Sequence, residues 1–343
     1  MNFISCYHPL LAYRKKFDVG TVPHILHVGQ DFISDKTEYE WLSSDVYDVW
    51  QIPCGKCVGC RLAYSREWAN RCYLESLTKG PNWFVTLTYS DENLPSEIFF
   101  KDNGELFTVN SLKKDDLSSF LKRLRSYYDY HDIKNDMSFY ACGEYGSNFF
   151  RPHYHLLLFG LPIDDLVYHS TKNGFVTYNS PTFDKLWNKG FVTINEFSWE
   201  TAAYVARYIL KKQKGEDSED YQKLHLVPEF VNMSRVPGIA YDYYSQNKDK
   251  VFSDGYISVK NSKGVFHDNI PKYFYRLLEK EDYDLFLKLK HERKEKAFSD
   301  KERNAIFNTS DLSNYEQRLI DENTKLSQIK ALRRDFESSH NIL

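Results

Sequence analysis

One stretch constrains the fold more than any other: Arg151-Pro152-His153-Tyr154-His155-Leu156-Leu157-Leu158-Phe159-Gly160. It reads as a β-strand whose start carries two histidines one residue apart. Side chains alternate across a strand, so His153 and His155 share a face, roughly 7 Å apart along it. Two imidazoles placed in this way can converge on one metal ion.

The surrounding segments supply neighbours for this strand. Trp83 to Tyr89 is β-branched and aromatic, and Ser138 to Cys142 is a second strand ending at Gly143-Glu144-Tyr145-Gly146. Phe191 to Phe197 alternates as a strand. Arg61 to Thr78 has helical periodicity and is stopped by Gly80-Pro81. Ser111 to Tyr128 predicts an amphipathic helix whose apolar face is Leu117, Phe120, Leu121, Leu124 and Tyr128. Ser198 is placed to cap a helix running through Tyr204-Val205-Ala206-Arg207-Tyr208-Ile209-Leu210-Lys211-Lys212. Strands and helices in this order predict an α+β fold with a central, mainly antiparallel sheet and flanking helices. Residues 1–50 read as irregular. Beyond Pro271 there is neither glycine nor proline, and the tail is charged and helix-prone. Three regions are expected: 1–80 with a cysteine cluster and a helix, a core over 81–270, and a helical C-terminal extension over 271–343.

Composition sets limits. The 343 residues are 42% hydrophobic and 16% aromatic, enough for a real core and against global disorder. The net charge is -3, so contact with a polyanion has to be local. No apolar run reaches the roughly 18 residues that span a bilayer, and the first residues lack the regions of a signal peptide. A cytoplasmic protein without a membrane partner is expected.

The histidines want an oxygen-bearing companion. Glu144 stands at the end of the preceding strand, across a short loop from His153, and antiparallel pairing would bring the two side by side. A carboxylate with two imidazoles suits a hard divalent ion such as Mg²⁺ or Mn²⁺. Taken alone, the pair reads first as polar residues on a half-exposed strand, with Glu144 in a turn. The tyrosine helix changes that balance. Tyr204 and Tyr208 share one helix face, and either could be a nucleophile toward phosphate. Lys211 lies three residues after Tyr208, as Arg207 does after Tyr204, placed to hold phosphate or a phenolate. The plain alternative is a helix with an aromatic core face. Thr86 and Thr88 are read first as ordinary strand residues.

Pro53-Cys54-Gly55-Lys56-Cys57-Val58-Gly59-Cys60-Arg61 has thiols at metal-ligand spacing. A ferredoxin-type cluster would want a fourth cysteine near position 64, which is Tyr64. Zinc is the better reading, with Cys6 chosen as fourth ligand and His8 and Cys72 as alternates. Lys56, Arg61, Arg66 and Arg71 against the lone Glu67 make a local basic patch that could track a nucleic-acid backbone.

Together these residues resemble the HUH endonuclease superfamily, and within it the replication initiation proteins of gokushovirus-type microviruses. Cys54 to Arg61 resembles the cysteine-rich motif, and Phe84-Val85-Thr86-Leu87-Thr88-Tyr89 the first replication motif. Gly143 to Gly146 with Arg151 to His155 resembles the metal-binding motif, Tyr204 to Lys212 the nucleophile motif, and Met233-Ser234-Arg235-Val236-Pro237-Gly238 a further family segment. The resemblance implies a tyrosine nickase acting on single-stranded DNA at a replication origin, with Mg²⁺ or Mn²⁺ on His153, His155 and Glu144. It implies a 5′-phosphotyrosine intermediate, a free 3′-OH for rolling-circle synthesis, and a host polymerase and helicase as partners. Tyrosines downstream of the histidines follow the initiator arrangement; conjugative relaxases place them upstream. Two rivals remain: an HUH transposase-like nickase, and a non-enzymatic zinc-dependent nucleic-acid-binding protein.

Overall fold

A computed structural model describes residues 6–15, 24–26, 47–100, 104–146, 150–172, 174–211, 221, 225–293, 295 and 314–331. Its contacts divide the chain into two units, Met1–Tyr64 with Leu278–Leu332, and Ser65–Leu277 with Arg333–Leu343.

The first unit contains a three-stranded antiparallel sheet where the sequence reads as irregular. Strand β1 (Leu10–Lys15) lies between β2 (His24–Leu26) and β3 (Tyr47–Ile52), with Leu10 opposite Ile52 and Lys15 opposite Tyr47. The short alternation of Leu10 to Lys15 becomes a strand because β3, distant in sequence, pairs with it. A helix over Asn314–Ala331 and helical residues 283–293 account for much of the charged tail.

In the second unit a seven-stranded antiparallel sheet has the order β12-β7-β8-β4-β11-β10-β9. Its strands are β4 (Asn82–Tyr89), β7 (Ser138–Tyr145), β8 (Pro152–Phe159), β9 (Val167–Lys172), β10 (Phe175–Asn179), β11 (Gly190–Glu196) and β12 (Phe230–Met233). Two small hairpins, β5 (Ser96–Phe100) with β6 (Leu106–Asn110) and β13 (Ile257–Asn261) with β14 (Gly264–Asp268), stand outside it. The architecture is the α+β class with a large antiparallel sheet and flanking helices that the sequence predicts.

The histidine strand β8 is central, paired to β4 on one side and β7 on the other. It is buried along its whole length, so its apolar residues serve two cores. Tyr154, Leu156 and Leu158 face one helical layer. That layer is α2 (Lys114–Tyr130) and α3 (Pro181–Trp187), which contribute Leu117, Phe120, Leu121, Leu124, Tyr128, Phe183 and Trp187. Leu157 and Phe159 face the other layer with Phe84, Tyr140 and Cys142. There α1 (Val58–Thr78) supplies Trp68, Ala69 and Cys72, and α4 (Trp199–Lys211) supplies Ala202, Val205 and Ala206. The small alanines of α4 let its backbone approach the sheet closely. Ser198 starts α4 as expected: its Oγ accepts from Thr201 N at 3.2 Å, and Thr201 Oγ1 accepts from Ser198 N at 3.0 Å. Among the described residues no helix is long and apolar enough to cross a membrane.

Candidate functional site

The register of three strands builds the site. Glu144 on β7 lies directly opposite His153 on β8, and His155 lies between Cys142 on β7 and Thr86 on β4. Cross-strand partners share a face, so Glu144, His153, His155 and Thr86 all point to the side covered by α1 and α4. Glu144 sits within β7, which continues to Tyr145, rather than in a turn. Its Oε1 is 2.7 Å from His153 Nε2 and 3.0 Å from His155 Nε2. All three side chains are buried, and their ligand atoms lie within 4.8 Å of one another. The neighbouring glycine has a packing reason. A Cβ on Gly143 would stand 2.7 Å from the Phe230 ring on the opposite face.

The outer nitrogens are held as well. His153 Nδ1 is 3.1 Å from the carbonyl oxygen of Arg151, and His155 Nδ1 is 2.9 Å from Thr86 Oγ1. Arg151 is itself fixed, donating to Tyr89 O at 3.0 Å and to Asp91 Oδ1 at 2.6 Å. His153 therefore stands between two acceptors, a carbonyl on Nδ1 and a carboxylate on Nε2. A neutral imidazole carries one N–H and leaves one of these contacts acceptor to acceptor. An imidazolium, or a metal ion bound by Nε2 and Glu144, removes the conflict. Burial pushes the Glu144 carboxyl up, but its hydrogen bonds with His153 and His155 outweigh this and hold it at about 2. A carboxylate oxygen and two imidazole nitrogens, buried and braced from behind, fit a divalent ion.

Thr86 is the residue that reading the sequence undervalues. The available signal is strand alternation, which places Thr86 and Thr88 on one face of β4. Only the β4–β8 register decides that Thr86 meets His155. Thr88 Oγ1 instead donates to Phe191 O at 3.2 Å. Behind the sheet, Tyr154 fills the position between the histidines. Its hydroxyl lies 2.7 Å from Tyr89 Oη, donates to Lys113 O at 2.7 Å and accepts from Lys113 N at 3.1 Å.

Helix α4 brings Tyr204 to this face. Its ring meets the His155 ring edge-on, with centroids 5.2 Å apart, and the Phe84 ring at 6.0 Å. The Arg207 guanidinium lies over the Tyr204 ring at 5.5 Å. Tyr208 and Lys211 lie on the same helix, but their side chains are outside the described residues.

Cys6, Cys54, Cys57 and Cys60 come together in the first unit, with all four sulfurs within 4.8 Å of one another. The two alternates for the fourth ligand are elsewhere. His8 Nε2 contacts Glu322 Oε2, and Cys72 is wholly buried in the second unit's hydrophobic cluster. The crowded sulfurs control each other's ionisation. The hydrogen bond shared with Cys6, opposed by burial, holds Cys57 at about 3, while that same bond and burial push Cys6 far up.

Residues 82–213 match the model of a family of replication-associated proteins of the ORF2 type. The matched span begins with β4 and ends just beyond α4, so it contains both histidines, Glu144 and both tyrosines. The chain is 36% identical over 332 residues to replication-associated protein ORF2 of Spiroplasma virus 4, covering 95% of this chain and 96% of that protein. It is 33% identical over 251 residues to replication-associated protein VP4 of Bdellovibrio phage phiMH2K, covering 69% and 72%. A shorter match, 32% over 166 residues, is to replication-associated protein ORF4 of Chlamydia phage 1 and covers 47% of this chain and 38% of that one. No solved structure matches.

Proposed function

This chain belongs to the ORF2-type family of replication-associated proteins, in its gokushovirus-type branch, and from that premise we propose that it initiates replication by nicking single-stranded origin DNA through a tyrosine. The observation that carries the reading is Tyr204 set edge-on to His155, 5.2 Å away, beside the buried Glu144–His153–His155 group. Two imidazoles, a carboxylate and a tyrosine ring gathered on one sheet face are more than a plain strand and a plain core helix require.

His153, His155 and Glu144 would hold Mg²⁺ or Mn²⁺, which would supply Lewis-acid chemistry toward the scissile phosphate. The Tyr204 or Tyr208 oxygen attacks phosphorus in line and loses its proton. The bond from phosphorus to the 3′ oxygen breaks, its electron pair stays on that oxygen, and a proton completes the 3′-OH. The DNA is left as a 5′-phosphotyrosine. This ester conserves the energy of the cut bond, so rejoining needs no ATP. Arg207 beside Tyr204 and Lys211 one turn after Tyr208 supply positive charge for phosphate or phenolate. Two tyrosines allow a second attack that closes the circle after one round. Host polymerase extends the 3′-OH and a host helicase opens the duplex, in the cytoplasm of the infected cell.

The test is a covalent adduct. Protein incubated with single-stranded origin DNA and Mn²⁺ should give a species resistant to denaturation, which Tyr204→Phe/Tyr208→Phe abolishes. Wild-type cleavage by that double variant removes tyrosine as the nucleophile. Full activity in His153→Ala/His155→Ala removes the metal assignment. DNA binding without cleavage under any divalent ion favours the non-enzymatic zinc protein, and joining to unrelated target DNA favours the transposase-like rival.

A further inference from the structure

We infer that a single structural zinc ion on Cys6, Cys54, Cys57 and Cys60 ties the segment at residue 6 to the turn at 54–60 in the first unit and so seats the C-terminal helix Asn314–Ala331. The site shares no residue with the histidine group.

The sulfur geometry fits one tetrahedral ion. Zinc–thiolate bonds of about 2.3 Å place sulfurs about 3.8 Å apart. Cys54 Sγ to Cys60 Sγ and Cys57 Sγ to Cys6 Sγ are both 3.9 Å. The cysteines are free, and a disulfide would need sulfurs about 2 Å apart. An iron–sulfur cluster interposes several atoms and spreads its thiolates wider than one ion does.

Backbone donors show the group to be built. Cys54 N donates to Cys6 Sγ at 3.2 Å, Cys57 N to Cys54 Sγ at 3.3 Å and Lys56 N to Cys54 Sγ at 3.4 Å. Tyr7 N and Cys60 N donate to Cys57 Sγ at 3.4 and 3.5 Å. Such bonds disperse thiolate charge. Gly55 permits the turn between the first two thiols with φ +73°, a region closed to most side chains.

A second, independent observation is where the described apolar residues lie and what the four cysteines join. Both hydrophobic clusters of the described residues belong to the second unit. In the first, the buried hydrophobics among the described residues are Tyr7, Ala12, Cys57 and Leu278. The cysteines join the segment at residue 6 to the turn at 54–60, and neighbours of both segments hold the C-terminal helix. His8 Nε2 is 2.5 Å from Glu322 Oε2, and Arg318 donates to Gln51 Oε1 at 3.2 Å.

The full chain, purified without chelator, is expected to carry one zinc by elemental analysis. Titration with an organomercurial should consume four thiols for each zinc released, read with a chromophoric chelator. Cobalt in place of zinc should give the absorption of a tetrahedral thiolate site. Cys54→Ser/Cys57→Ser should lose the zinc, and His153→Ala/His155→Ala should keep it. Stripping zinc from the wild-type chain should expose residues 314–331 to protease while the segment 152–159 stays resistant. Iron instead of zinc, substoichiometric zinc, or full zinc in the cysteine variant overturns the site. Unchanged protection of the C-terminal helix after stripping overturns its role there. The wild-type titration needs no variant, so a misfolded mutant leaves the answer intact.

Discussion

Replacing Thr86 by valine should weaken divalent-metal binding at the histidine site by about 10- to 100-fold. The reasoning starts from the 2.9 Å contact between Thr86 Oγ1 and His155 Nδ1. His155 is 4% exposed, so water does not replace a lost partner there. A buried N–H without an acceptor costs about 1–3 kcal/mol. The imidazole can avoid that cost by moving its proton to Nε2, where Glu144 accepts it, but Nε2 is then no longer a metal ligand. Either route charges the metal-bound state about 1.4–2.8 kcal/mol, the loss typical of an outer-shell partner. Valine keeps the shape and suits a strand, so the fold should persist. The assay is Mn²⁺ titration by calorimetry or electron paramagnetic resonance, with thermal melts as a control. Thr86→Ser retains the hydroxyl and should bind within a few-fold of wild type. If Thr86→Val binds Mn²⁺ as tightly as wild type at matched stability, the hydroxyl does not set the His155 tautomer and the reasoning fails. His153 offers no equivalent substitution, because its acceptor is the Arg151 backbone.

Other outcomes follow from the packing. Tyr154→Phe keeps the ring but leaves Lys113 N and O without their buried hydroxyl partner, and should cost about 1–3 kcal/mol in urea unfolding. Gly143→Ala places a methyl 2.7 Å from Phe230, and should cost about 1–3 kcal/mol, read as a lowered melting temperature. Asp165 is raised by burial but held below its usual range overall by Ser180 and by Thr182 N at 2.8 Å. A depressed carboxyl contributes stability above its unfolded value of about 3.9, and loses it as pH falls through the folded value. Asp165→Asn should therefore be less stable than wild type at pH 7, with the gap closing below about pH 4 in denaturant midpoints.

What the chain discloses before folding is what repeats locally. The apolar face of α2 is readable to the residue because helical period is local. Ser198 is readable as a cap for the same reason. Glu144 can be matched with His153 because a short connection between antiparallel strands leaves few registers. Thr86 cannot be placed, since its partner lies far along the chain and only the β4–β8 pairing sets the contact. The N-terminal sheet escapes a reading of the sequence for a related cause: β1 gains its strand character from β3, distant in sequence. Cys6 is one of three candidates for the fourth thiol position, and spacing does not choose among them. The strand β7 runs past its apolar residues to include Glu144 because β8 continues to pair with it. A charged residue inside a strand is ordinary by propensity and meaningful only once its neighbours are known.

The central place of β8 has a kinetic consequence. A strand with a partner on each side cannot open alone, so its amides exchange with solvent only when the sheet itself comes apart. His153 and His155 therefore sit on a strand held from both sides, with their spacing set by the sheet. An ion binding there would find its two imidazoles already placed by the sheet. On the proposed mechanism, control over when DNA is cut would enter more readily through α4 or the substrate than through a strand paired on both sides.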